Sequence, residues 1–322
     1  MCTSKDKLLK LMQAVNSVGS SSPLLYVKLD FIDKMELEAE ENTTFKEALS
    51  QIGQLTEKAT KNIEDYNSLI EIKNTYSEAY ILSKLQSLLH IDKIQEGDSK
   101  TPDFKARFRD EDIFIELKSL NMLEGTIKHR DIMHDSLDSK IEAEEQINKG
   151  KNVGVGTTVI QPYYSNNKKY DPRSTRLVIE SLIDKVNQNI KEQQYSLGDT
   201  VLLVDLSDQL PLISKPSEAI QEKYYDDYGK TEVSGELWNV AFGKLGDQIY
   251  KPAEFEGAGN VDGELEKEGV LVSHPYIKGL IFHASEEFYA VAELTESNST
   301  VTDCLVYISK KHAFKTKFNN AK

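Results

Sequence analysis

Asp103, Glu116 and Lys118 stand in the segment PDFKARFRDEDIFIELKSL, which alternates in the manner of a β-hairpin. A tight turn at Asp110-Glu111 sets Phe104 against Leu117, Ala106 against Ile115 and Phe108 against Ile113, gathering six apolar side chains on one face. The other face carries Asp103, Lys105, Arg107 and Arg109 on the first strand and Asp112, Phe114, Glu116 and Lys118 on the second. In that register Asp103 lies opposite Lys118 with Glu116 two residues back, so two carboxylates and one amine converge within roughly 5 to 7 Å. Two acids at that separation offer oxygens to a hard divalent cation, Mg²⁺ or Mn²⁺, which keeps several waters and accepts phosphate oxygens. A water activated by such a cation beside an amine is a nucleophile. A hairpin face whose charges are merely solvated gives the same pattern of residues.

The arrangement of Pro102-Asp103, a gap of twelve residues and then Glu116-Leu117-Lys118, on two strands after a helix, resembles the PD-(D/E)xK nucleases, the restriction-endonuclease-like superfamily. The resemblance covers Tyr76 to Leu206. It implies that Asp103 and Glu116 bind metal, that Lys118 orients or activates the attacking water, and that the reaction is Mg²⁺-dependent hydrolysis of phosphodiester bonds, with DNA as substrate. Members of the superfamily often add an acid from the helix before the hairpin, a place held by Glu78 as a third metal ligand. Glu78 also completes a capping box, Thr75-Tyr76-Ser77-Glu78, in which it reaches back to the cap residue's amide. The competing expectation is a binding protein that keeps the nuclease fold without activity.

The elements around the hairpin set the fold expected. Residues 1–70 read as a helical N-terminal extension, with Leu8, Leu11, Met12 and Val15 at helical spacing and a second helix over Thr44 to Asn62. Between them Leu25, Val27, Leu29 and Phe31 alternate like a short strand. Residues 71–322 read as a nuclease-like α/β domain with a mixed central sheet flanked by helices. Its elements are an amphipathic helix over Asn74 to His90, the hairpin, a helix over Ser174 to Tyr195, and the buried strand VLLVDL at Val201 to Leu206. Ser234 to Leu245 looks helical, and Lys278 to Phe282, Phe288 to Glu293 and Cys304 to Ile308 look like strands. Glu254 to Gly269 reads as a loop.

Other residues carry less chemistry. Lys185 and Gln188 are expected on a solvated helix surface, within reach of phosphate in the superfamily's manner. His129 and His134, five apart, do not share a helical face, and Gly150, Gly154 and Gly156 lack the Gly-Lys-Ser/Thr of a phosphate loop. Cations for nucleic acid come from Lys105, Arg107 and Arg109, from Lys168, Lys169, Arg173 and Arg176, and from Lys310, Lys311, Lys315 and Lys317; Tyr163, Tyr164 and Tyr170 interleave with the second group.

Composition bounds the rest. With 322 residues and 39% hydrophobic content the chain can bury an ordinary core, and Cys2 and Cys304 alone cannot build a disulfide framework or a zinc cluster. No apolar run nears ~18 residues, and the N-terminus has no signal-like segment, so a cytoplasmic protein without membrane contact is expected. The formal charge of −14 opposes polyphosphate, but it is uneven. Ala253 to Gly269 holds six acids and one lysine, whereas Ser309 to Lys322 holds five lysines and no acid. A homodimer is one admissible assembly.

Overall fold

The computed structural model describes residues 3–17, 23–62, 66–95, 100–120, 140–141, 143–155, 174–207, 221–226, 229–250, 261–284, 286–291, 299–310 and 313–314. The chain divides into two compact units, 1–87 with 126–161, and 88–125 with 162–322. Among the described residues, no helix is long and apolar enough to cross a membrane.

The first unit is helical: α1 (Ser4–Ser17), α2 (Leu29–Glu38), α3 (Thr43–Lys61) and α4 (Tyr66–Gln86). Leu8, Leu11 and Val15 of α1 share one buried cluster with Ile32, Met35, Phe45, Ile52 and Ile72. Full burial of such side chains stabilises by about 1.5–3 kcal/mol each, which holds helices that are marginal alone. The Asn42 side chain caps α3 by accepting from the Phe45 amide at 3.2 Å. Position 70 falls within α4, which runs unbroken to Gln86.

Two local expectations fail in this unit. Leu25 to Phe31 is not a strand: Pro23–Tyr26 is a 3₁₀ turn and α2 begins at Leu29. Phe31, Ile32 and Met35 lie on one helical stripe and are buried together, and that burial outweighs a four-point alternation. The capping box at Thr75 also fails, because Thr75 is inside α4 and its hydroxyl donates to the Glu71 carbonyl at 2.9 Å.

The second unit is mixed α/β. Its sheet runs in the order β1 (His90–Lys93), β2 (Phe104–Phe108), β3 (Glu111–Ser119), β4 (Thr200–Asp205), β9 (Leu280–Ala284), β10 (Glu287–Val291), β11 (Ala313–Phe314). Strands β1, β2 and β3 pair antiparallel, whereas β3, β4 and β9 are parallel. Strand β10 runs antiparallel to β9 and parallel to β11. Every residue of β4 is buried, as a central parallel strand covered on both faces must be. Helix α5 (Thr175–Asn189) packs Ile179, Leu182, Ile183 and Val186 with Leu202, Val204, Leu280 and Phe282 of the sheet. Between β4 and β9 lie two ribbons, β5 (Gln221–Asp226) with β6 (Gly229–Ser234) and β7 (Gln248–Tyr250) with β8 (Val261–Glu264), and the short helices α6 (Glu236–Phe242) and α7 (Val270–Ser273). Strand β8 interrupts the loop expected over Glu254 to Gly269.

Cys304 to Ile308 lies in helix α8 (Thr300–Ser309), not in a strand. Val301, Cys304, Leu305 and Ile308 are buried at helical spacing, and the Ser299 hydroxyl caps the helix by accepting from the Thr302 amide at 3.2 Å.

Candidate functional site

The site starts from a turn. Arg109 and Asp110, with φ of +47° and +66°, form the two-residue loop of the β2–β3 hairpin, a mirror-image turn that matches strand twist. The expected turn at Asp110-Glu111 is therefore one residue out, and the pairing differs by two: Phe104 faces Ile115, Ala106 faces Ile113 and Phe108 faces Glu111. A shift of two leaves every side chain on its face, whereas a shift of one would exchange the faces. Phe104, Ala106, Ile113 and Ile115 are accordingly buried. Arg107 now stands against Asp112, an opposite-charge cross-strand pair that favours this register.

Carried one residue further, the register puts Asp103 opposite Glu116, not opposite Lys118. Asp103 Oδ2 accepts from the Leu117 amide at 2.7 Å, which pins the carboxylate beside Glu116. Lys118 Nζ bonds Glu116 Oε1, two residues back on the same strand face, and approaches Gln194 Oε1 at 3.5 Å. The structure thus brings Asp103, Glu116 and Lys118 together, with the amine on Glu116. Glu78 lies half-buried on α4 of the helical unit.

Glu116 is fully buried, and its Oε2 has no hydrogen-bond partner. Loss of hydration and the Asp103 charge push its carboxyl up to about 7, against the smaller opposing pull of Lys118. Two acids and one ammonium leave one excess negative charge, and a proton or a cation has to offset it. Among the described residues no three His, Cys, Asp or Glu side chains converge as a metal-binding group. Mg²⁺ uses one or two carboxylates and fills its remaining positions with water and phosphate, so the Asp103–Glu116 set and its unsatisfied buried oxygen fit that ion.

Gln194 and Tyr195 were invisible to spacing, because they read as the end of a long helix. Helix α5 stops at Asn189, and Glu192–Tyr195 forms a 3₁₀ turn ahead of β4. Tyr195 is buried, its hydroxyl has no hydrogen-bond partner, and its phenol is pushed above its ordinary value by burial and then by the charges of Glu116, Tyr276 and Asp103.

A second polar cluster, also unread in the sequence, sits at the ends of β4 and β9. Asp205 and His283 are register partners, and Asp205 Oδ1 meets His283 Nδ1 at 3.0 Å, the Ser207 amide at 3.1 Å and the Ser207 hydroxyl at 2.5 Å.

The basic residues are less available than the sequence suggests. Lys105 and Arg107 pair with Asp112 at 2.7 and 3.6 Å, and Arg109 pairs with Asp303. Arg176 forks onto Glu180 at 3.0 and 3.2 Å. On α5, Lys185 is half-buried and Gln188 exposed. Lys310 is exposed; Lys168, Lys169, Arg173, Lys311, Lys315, Lys317, His129, His134, Gly156, Tyr163, Tyr164 and Tyr170 lie outside the described residues. No protein-family model, curated protein or solved structure matches the chain.

Proposed function

We propose that the sheet unit is a divalent-metal-dependent phosphodiesterase acting on DNA, built on a restriction-endonuclease-like core. The observation that carries this reading is Glu116: a fully buried acid beside a second acid and an amine, with an unsatisfied oxygen. Burying that carboxylate opposes folding unless something compensates, and such costs concentrate where chemistry is done. Asp103 and Glu116 would hold Mg²⁺ or Mn²⁺. When bound, the ion supplies charge neutralisation at a phosphate and a hard Lewis acid. Asp103 is held by the Leu117 amide, which fixes its carboxylate beside Glu116. Glu116 gives up its proton on loading, because a ligand oxygen must be ionised. Lys118, anchored on Glu116, orients the attacking water and exchanges a proton with it.

Cleavage of plasmid or oligonucleotide in Mg²⁺ or Mn²⁺, abolished by chelator, tests the reading. Ca²⁺ should support DNA binding with little turnover, since its looser coordination positions water poorly. A second reading, an inactive nuclease-fold protein that binds a partner, draws on the hairpin cations: Lys105, Arg107 and Arg109 are matched by Asp112 and Asp303, and the chain carries −14 overall. A folded chain that cleaves DNA in none of these metals selects it.

A further inference from the structure

The Lys118 ammonium has three N–H donors and no acceptor. Glu116 Oε1 takes one of them, from two residues back on the same strand. A second reaches the Gln194 side-chain oxygen at 3.5 Å, and Gln194 comes from another element, the 3₁₀ turn Glu192–Tyr195. That turn is firmly seated. The Tyr195 ring is buried in the core that contains Leu120 and Leu202, and lies 5.5 Å from the Tyr276 ring. The Gln194 backbone amide donates to the Lys191 carbonyl at 2.9 Å, and the Phe114 amide of β3 donates to the Asp199 carbonyl at 2.9 Å. Gly198 lets this stretch come down on β3, because a Cβ there would stand 3.0 Å from the Phe114 ring. Phe114, Glu116 and Lys118 alternate along β3 and so share one face, the face that the Gln194 side chain meets.

We propose that Gln194 is a positioning residue of this site, its side-chain oxygen holding the Lys118 ammonium in place so that the third N–H is aimed at the attacking water. The proposal rests on the reading of Asp103, Glu116 and Lys118 as the reacting centre. An ammonium at the end of a flexible four-carbon stem, tied at one point only, swings about its last bonds and spreads its remaining hydrogens over many directions. A second tie, from a turn that the core fixes independently of β3, removes that freedom before the reaction begins. Contacts of this kind are long before substrate binds and shorten in the reacting complex, which suits the 3.5 Å separation.

The test follows the Lys118 ammonium itself, by ¹H–¹⁵N NMR of the full chain carrying labelled lysine, with the signal assigned by its loss in Lys118→Met. Gln194→Leu keeps the bulk of the side chain and removes the acceptor, whereas Gln194→Glu keeps an acceptor oxygen at the same reach. The Lys118 hydrogens are expected to exchange with water roughly 3- to 10-fold faster in Gln194→Leu and at the parent rate in Gln194→Glu. Single-turnover cleavage in Mg²⁺ should fall by roughly 10- to 100-fold in Gln194→Leu, with half-saturating DNA within about twofold of the parent, and should return in Gln194→Glu. A glutamine that only packs would lower the melting temperature of Gln194→Leu and leave the exchange as in the parent, and that result overturns the proposal. So does a rate lost equally in both variants with unchanged exchange, since the working group is then the side-chain N–H. A parent that cuts nothing while the exchange quickens in Gln194→Leu removes the nuclease and keeps the Gln194–Lys118 hold; a parent that cuts while the exchange stays fixed does the reverse.

Discussion

Glu116 and Asp205 are both acids buried to within 1% on neighbouring strands of one sheet, yet they are surrounded in opposite ways. Around Asp205 the donors gather on one oxygen: His283 Nδ1, the Ser207 amide and the Ser207 hydroxyl. The serine spends its hydrogen on the acid, so it is not activated as a nucleophile. The Asp-His-Ser trio is a brace that ties the end of β4 to β9. Beside Glu116 stands a second acid, Asp103, and Lys118 bonds one Glu116 oxygen. Burial of an acid is common to the two clusters. What separates them is the neighbour: a histidine and a serine at Asp205, a second acid at Glu116.

The comparison can be broken most sharply at the acids. On the proposed reading, Asp103→Ala and Glu116→Gln are expected to lower metal-dependent cleavage by about 10³-fold or more while circular dichroism stays native, since each would remove a ligand of the proposed cation. Undiminished rates in both would end the functional contrast. Next is Lys118: alanine should cost about 10²–10³-fold in single-turnover rate, and arginine should not restore it, because a planar guanidinium does not replace a compact amine that exchanges a proton. If arginine rescues, charge alone suffices and the lysine is only a counter-ion.

Stability against pH gives the third test. The Glu116 carboxyl lies near 4.5 when unfolded and about 7 when folded, so the folded chain holds the proton more tightly between those values. Unfolding free energy should therefore fall as pH rises from about 4.5 to about 7 and then level, by at most about 3 kcal/mol, and Glu116→Gln should flatten that slope. Denaturant titrations across this range read it directly. At Asp205 the expectations invert: Asp205→Asn or Ser207→Ala should cost about 1–3 kcal/mol of stability without changing Mg²⁺ affinity by calorimetry. The smallest effect lies in the turn, where Asp110→Gly relieves a left-handed non-glycine residue and should gain up to about 1 kcal/mol in thermal unfolding.

Period and parity made much of this legible in the sequence. Phe104, Ala106, Ile113 and Ile115 alternate cleanly, so the buried face of the hairpin was readable even with the turn misplaced by one residue. Val201 to Val204, four apolar residues in a row, announced a central strand. Short runs were another matter: Val301, Cys304, Leu305 and Ile308 carry a helical period that a five-residue window from Cys304 conceals. Gln194, Tyr195 and His283 gave no local signal, because their meaning depends on which strands become neighbours. That Asp103, Glu116 and Lys118 come together was legible from spacing, but their order of pairing was not, since one turn residue decides whether the amine faces Asp103 or stays with Glu116.

The parallel pairing of β3 with β4 carries a consequence for how the protein comes into being. The β2–β3 hairpin closes over a two-residue loop, whereas Ser119 and Asp205, which end as ladder partners, are separated by a long stretch of chain that includes all of α5. Hairpins form in about 1–10 μs, while pairings between distant segments wait on loop closure and are the slow part of folding. During that wait the hairpin exists without β4 and without the turn that brings Gln194 and Tyr195, so Glu116 is hydrated and titrates as an ordinary acid. Its raised hold on the proton, which burial and Asp103 cause, is expected to arrive with the non-local pairing. Refolding followed by proton uptake at pH 6 should therefore show a burst-free signal that tracks the slowest phase, making the proton itself a clock for completion of the site.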